Sequence, residues 1–119
     1  MAKAKILICD DDQGIRESLG FILRDNYEIA FANDGLQALE HIKREHTDLI
    51  LLDLKMPGLD GFQVLKELEK IKSRVKVIVI TGYSSSATAN RAIKSGACDY
   101  IIKPFDKDEL LEAVAKVLK

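Results

Sequence analysis

The chain has 119 residues, 47% of them apolar, with 18 basic against 19 acidic side chains and a formal charge of -1. At that length one domain with one sizeable core is expected. The near-neutral balance leaves no broad basic field for a phosphate backbone, and no apolar run approaches a membrane span, so neither direct nucleic-acid binding nor membrane insertion is expected.

Met1-Ala2-Lys3-Ala4-Lys5 leads into an apolar run too short for a signal-peptide core, so a cytoplasmic location is expected. That run, Ile6-Leu7-Ile8-Cys9, ends on Asp10-Asp11-Asp12. Ile15, Leu19, Ile22 and Leu23 then fall at helical spacing, with Asp12 placed to cap the helix. Residues 27–32 alternate enough for a strand before Asp34-Gly35 interrupts the chain. Leu36, Leu39 and Ile42 mark a second helix. Residues 49–52 are apolar throughout, which predicts a central strand buried on both faces. Pro57-Gly58 and Asp60-Gly61 make a turn-rich loop. Phe62, Leu65, Leu68 and Ile71 give a third helix, and residues 75–80 another buried strand. Ser84-Ser85-Ser86 precedes a fourth helix with a weak apolar signal (Ala89, Ala92, Ile93), for which Gly96 is a natural C-cap. Residues 100–102 form the last strand, and Asp106 can cap a fifth helix carrying Leu110, Leu111, Val114 and Leu118.

Five βα units in succession predict an α/β domain, a doubly wound parallel sheet with helices on both faces. No linker, repeat or low-complexity stretch divides the chain, so residues 1–119 are expected to form one domain. Four apolar runs end in polar residues: Asp10-Asp11, Asp53, Thr81 and Lys103. In a parallel sheet these gather at one carboxyl edge, where open α/β sheets bind ligands. With the strand order 2-1-3-4-5, strands 1 and 3 meet at the switch point and their aspartates share one crevice. Carboxylates so placed repel unless a cation joins them, and a site of few oxygen ligands suits Mg²⁺, with Mn²⁺ as an alternative. Asp53, at the end of the most buried strand, is the candidate nucleophile for an acyl phosphate. Lys103 and Thr81 are candidates to contact phosphoryl oxygens, and Gly82 leaves room for them.

These pieces resemble the receiver domain of two-component response regulators. The resemblance runs from about Lys5 to Leu118. It rests on Ile6-Leu7-Ile8-Cys9-Asp10-Asp11, on residues 53–61 (DLKMPGLDG), on Thr81-Gly82 and on Lys103-Pro104-Phe105, all in order. It implies a flavodoxin-like (βα)5 fold and a single-domain signalling protein rather than an enzyme. Asp53 would accept a phosphoryl group from a phosphohistidine of a sensor histidine kinase or a histidine phosphotransfer protein. Asp10, Asp11, Asp53 and the backbone carbonyl of Lys55 would be the metal ligands. Thr81 and Tyr100 would form the switch, Tyr100 turning inward as Thr81 moves. The resemblance also implies a Lys103-Pro104 bond that is often cis. Gln13, Gly14, Ile15 and Arg16, with Pro104 and Phe105, match the region that docks kinases or phosphotransfer domains. Lys55 and Tyr83, two residues past Asp53 and Thr81, match positions that tune hydrolysis of the acyl phosphate, and a bulky Tyr83 predicts slow dephosphorylation. The partner would be a separate output protein, or the phosphoryl group would be relayed; a monomer is expected.

Two other readings use the same residues. A phosphatase with an aspartate nucleophile needs an acid/base Asp two residues later, where this chain has Lys55. A flavin-binding module needs phosphate-cradling Gly, Ser or Thr after strand 1, where this chain has three aspartates. Cys9 and Cys98 read as small buried hydrophobes. His41 and His46 read as solvated side chains remote from the crevice.

Overall fold

The computed structural model describes residues 2–119. Its elements alternate without exception: β1 (Lys5–Cys9), α1 (Gln13–Leu23), β2 (Glu28–Ala32), α2 (Gly35–Arg44), β3 (Leu49–Leu52), α3 (Gly61–Lys70), β4 (Lys76–Thr81), α4 (Ser86–Lys94), β5 (Asp99–Ile102) and α5 (Lys107–Val117). The five strands form one sheet in the order β2-β1-β3-β4-β5, and every pairing is parallel. The expected doubly wound topology is therefore present. The switch point lies between β1 and β3, where Cys9 pairs with Leu52.

Side chains along each strand alternate between two cores. Ile6, Ile8, Leu49, Leu51, Ile78 and Ile80 face α1 and α5, packing with Leu19, Leu23, Leu110 and Val114. Leu7, Cys9, Ile50, Leu52, Val77 and Val79 face the other helices, packing with Ala38, Leu39, Val64, Leu65, Leu68 and Ala92. All four residues of β3 are buried, which is why that strand reads as apolar throughout.

Helix starts follow capping chemistry. Asp12, Asp34, Asp60, Ser85 and Asp106 are the N-caps of α1 to α5, each accepting from a backbone N–H of the first turn. Gln63 completes a capping box on α3 by accepting from the Asp60 N–H. Gly96 follows the Ser95 C-cap with φ +115°, a conformation that favours glycine. The α4 helix buries only Ala92 completely, and the Arg91 guanidinium lies 3.8 Å over the Phe62 ring of α3.

One expectation needs correction, and two of the residues that marked helices lie outside the core. Cys98 is exposed, since β5 begins at Asp99 and Cys98 lies outside the strand; only Cys9 is a buried hydrophobe. Leu36 is exposed on the first turn of α2, where Ala38 and Leu39 instead meet the core. Ile71 is exposed at the C-cap of α3, beyond the helix's buried stripe of Val64, Leu65 and Leu68.

Candidate acidic site at the switch point

Asp10 and Asp53 are placed by the ladder that builds the sheet. The Asp53 N–H donates to the Cys9 carbonyl at 3.1 Å, continuing the β1–β3 pairing by one residue. The Asp10 N–H reaches the Ala32 carbonyl at 3.3 Å on the other side. The Lys103 N–H donates to the Thr81 carbonyl at 2.8 Å, extending β4–β5 in the same way. Two carboxylates, a hydroxyl and an ammonium thus stand on backbone that is already hydrogen-bonded. Asp10, Asp53 and Thr81 are 2%, 7% and 1% exposed.

A crevice of about 690 Å³ opens above them, lined by Asp10, Asp11, Asp12, Asp53, Lys55, Met56, Pro57, Thr81, Gly82, Tyr83 and Lys103. All the predicted acceptor, metal and tuning residues are therefore brought together. One oxygen each of Asp10, Asp11 and Asp53 lie within 4.8 Å of one another, two of the residues buried and Asp11 exposed. This all-oxygen donor set, open on one side, fits a small hard cation that retains water and accepts a phosphoryl oxygen. A methyl group added at Gly82 would meet nothing within 4 Å, so that rim is open.

Lys103 Nζ donates to Asp10 Oδ2 at 2.7 Å and to Asp53 Oδ2 at 3.2 Å. Burial pushes the Asp10 carboxyl above its ordinary range, and the bond from Lys103 offsets this only in part. Burial alone would lower the Lys103 ammonium; the hydrogen bond to Asp10 and the charges of Asp53 and Asp10 outweigh it and hold the group above the usual lysine value. Beneath the crevice Cys9 touches Met56, Sγ to Sδ at 3.6 Å. Burial first, and then the charges of Asp10, Asp34 and Asp53, push its thiol up to about 12, which keeps it protonated and inert.

At the crevice lip the Lys55 N–H donates to Asp53 Oδ1 at 3.2 Å, and the Tyr83 N–H reaches Thr81 Oγ1 at 3.5 Å. Tyr100 is half-buried against the α2–α4 core, and its hydroxyl donates to the Tyr83 carbonyl at 2.6 Å. Lys103-Pro104 is cis. Gln13, Gly14 and Pro104 are exposed, while Ile15 and Phe105 are half-buried against the α1/α5 core. Neither His41 nor His46 lines the crevice, and His46 Nε2 lies 2.8 Å from Asp48 Oδ1.

Three residues already named from the sequence take on contacts that the motifs do not announce. Met56 is buried against Cys9. Gly61 packs so tightly that an added Cβ would lie 2.6 Å from the Asp53 carbonyl. Its position just after a helix cap was the available signal. Arg16 reaches back from α1 to the Asp10 carbonyl at 2.7 Å.

An open α/β sheet carries at its switch point an acidic crevice with a bridging ammonium, the place where such sheets bind ligands and a donor set that suits a small hard cation. The chain belongs to the response regulator receiver domain family, whose model matches residues 6–115. It is a response regulator domain of two-component signal transduction. It is 40% identical to Sporulation initiation phosphotransferase F of Bacillus subtilis (strain 168), over 99% of this chain and 96% of that protein. It is 43% identical to Transcriptional regulatory protein ZraR of Klebsiella oxytoca, over 95% of this chain but 26% of the relative. The chain thus spans nearly all of the first relative and about a quarter of the second. Among solved structures, a CheY-like receiver domain from Methanospirillum hungatei JF-1 superposes with a TM-score of 0.92 at 34% identity, covering 98% of this chain and 94% of that one. Chemotaxis protein CheY4 of Vibrio cholerae gives 0.92 at 30% identity, covering 98% and 100%. Among the described residues no helix is long and apolar enough to cross a membrane.

Proposed function

We propose that Asp53 accepts a phosphoryl group from a phosphohistidine of a sensor histidine kinase or histidine phosphotransfer protein, in a reaction that needs Mg²⁺ or Mn²⁺. The observation that carries this is the meeting of three carboxylates within 4.8 Å beside an ammonium 3.2 Å from an Asp53 oxygen. An Asp53 oxygen attacks phosphorus, the P–N bond breaks, and its electron pair leaves on the imidazole nitrogen. Asp10, Asp11, Asp53 and the Lys55 carbonyl would hold the metal, which would offset charge on the phosphoryl oxygens. Lys103 supplies a fixed charge to those oxygens and Thr81 a hydroxyl.

Transfer offers Thr81 and Lys103 phosphoryl oxygens as new partners in place of those they hold now, Tyr83 N–H for Thr81 and the two carboxylates for Lys103, so the modified state favours a different arrangement of the β4–α4 loop. Tyr100 is tied to that loop through the Tyr83 carbonyl, which links the crevice to the surface of α4, β5 and α5. In this reading residues 1–119 are one receiver domain that acts in the cytoplasm as a monomer, without an enzymatic product of its own. It binds a separate output protein or relays the phosphoryl group, and does not bind nucleic acid itself. Gln13, Gly14, Ile15, Pro104 and Phe105 form the docking side.

Phosphoramidate, a small donor with a P–N bond, tests the assignment. Mass mapping after Mg²⁺-dependent reaction should place one phosphoryl group on the peptide containing Asp53. A group found on another residue would overturn it.

A further inference from the structure

Arg16 stands in the first turn of α1, and the acceptor chemistry leaves it without a role. Its Nη1 donates to the Asp10 carbonyl at 2.7 Å, the length of a charge-assisted bond. Among the described residues it joins no ion pair. The turn it closes is tightly knit: the Asp12 N–H donates to Asp10 Oδ1 at 2.9 Å, and the Arg16 N–H donates to the Asp12 carbonyl at 3.1 Å. The carbonyl that Arg16 grips belongs to the peptide joining Asp10 to Asp11. Because that unit is planar, holding its oxygen fixes one backbone torsion of each residue. The contact therefore restrains the backbone from which both carboxylates are presented, alongside the bonds that the Asp12 N–H and Lys103 make to the Asp10 carboxylate.

We propose that Arg16 is a positioning residue for the cation site, clamping the Asp10–Asp11 peptide so that the two carboxylates converge with Asp53. This rests on the reading of the crevice as a Mg²⁺ site. The guanidinium charge opposes a nearby cation, but Arg16 is only half-buried and solvent screens that charge in part, whereas the bond to the peptide oxygen is short and directional. The geometric contribution therefore dominates. Docking of a protein partner is a different role for the same residue, and a small donor separates the two.

Calorimetric titration with Mg²⁺ of the wild type, Arg16→Met, Arg16→Gln and Arg16→Lys is the test, with circular dichroism to verify folding. Loss of a contact that orients a ligand typically weakens metal affinity by about tenfold, and Arg16→Met should show a loss of that order. Arg16→Lys should recover part of it. With acetyl phosphate as donor, the Mg²⁺ concentration for half-maximal rate should rise by the same factor, while the rate at saturating Mg²⁺ stays near wild type. Unchanged affinity in a folded Arg16→Met would overturn the proposal and leave docking as the role. Tighter binding would overturn it too, by showing that charge outweighs geometry. If Arg16→Met does not fold, Arg16→Gln decides the matter on the same terms. A wild type that binds no Mg²⁺ would overturn the metal reading and this proposal with it.

Discussion

Lys103 Nζ lies closer to Asp10, at 2.7 Å, than to Asp53, at 3.2 Å, although the Asp10 and Lys103 side chains are separated by 93 positions in the chain. The end of β5 thus supplies the counter-charge for the ends of β1 and β3. Removing the ammonium leaves two buried carboxylates facing each other. Lys103→Met should lower stability without metal by about 2 kcal/mol, less than for a fully dry pair because the crevice is open to water. Mg²⁺ should restore more stability to the variant than to the wild type, since the cation no longer competes with the ammonium. Urea unfolding with and without Mg²⁺ measures both effects.

Gly61 connects helix packing to the acceptor. Its N–H donates to the Leu54 carbonyl at 3.0 Å, and an added Cβ would stand 2.6 Å from the Asp53 carbonyl and 2.7 Å from Leu54 Cα. Neither neighbour is a flexible side-chain end, so the backbone must shift. Gly61→Ala should cost about 2 kcal/mol in unfolding free energy and slow phosphoryl uptake by displacing Asp53. Normal uptake in the folded variant would show that the acceptor does not need this contact.

Tyr83 borders the crevice, which Lys55 also lines, with a half-exposed ring. A ring there narrows the path of a water molecule toward a phosphorylated Asp53. Tyr83→Ala should shorten the lifetime of the acyl phosphate several-fold, read by intact mass after removal of the donor. An unchanged lifetime would contradict this role.

Asp48 gives the fold a dependence on acid that is independent of the crevice. Its Oδ2 accepts from the Lys5 N–H at 2.8 Å and its Oδ1 meets His46 at 2.8 Å. The Lys5 bond first, with His46 adding to it, holds the carboxyl below its ordinary value. A depressed carboxyl stabilises the fold above the ordinary carboxylate value near pH 4, and this stability is lost as pH falls through the lower folded value. Asp48→Asn should therefore cost about 1 kcal/mol at neutral pH, and the gap from wild type should close below about pH 4. Parallel denaturant curves from neutral to acid pH test it.

The sequence conveyed most of this fold because its strands are simple. β3 and β4 are buried along nearly their whole length, so apolar runs mark them directly. The strand ends then located the crevice, because parallel strands share one carboxyl edge. Asp12 was legible as a cap from its place before a helical period, and it does accept from the Ile15 N–H. Other features depend on three-dimensional neighbours. Cys98 looks apolar in sequence, yet it lies just before β5 and points outward. Leu36 and Ile71 fit helical spacing but fall at helix ends, outside the buried stripe. The Lys103–Asp10 pair and the Arg16 clamp arise only when distant or looped segments meet, and no local pattern announces them.

The most direct test of the account is intact mass after incubation with acetyl phosphate, in Mg²⁺ and in excess chelator, for the wild type and Asp53→Ala. The account predicts one added phosphoryl group in the wild type with Mg²⁺, and none with chelator or in the variant. Beryllium fluoride, observed through the Tyr100 resonances, covers the case of an adduct hydrolysed too fast to weigh. An adduct on Asp53→Ala, or a wild type that neither gains mass with Mg²⁺ nor responds to beryllium fluoride, would contradict it.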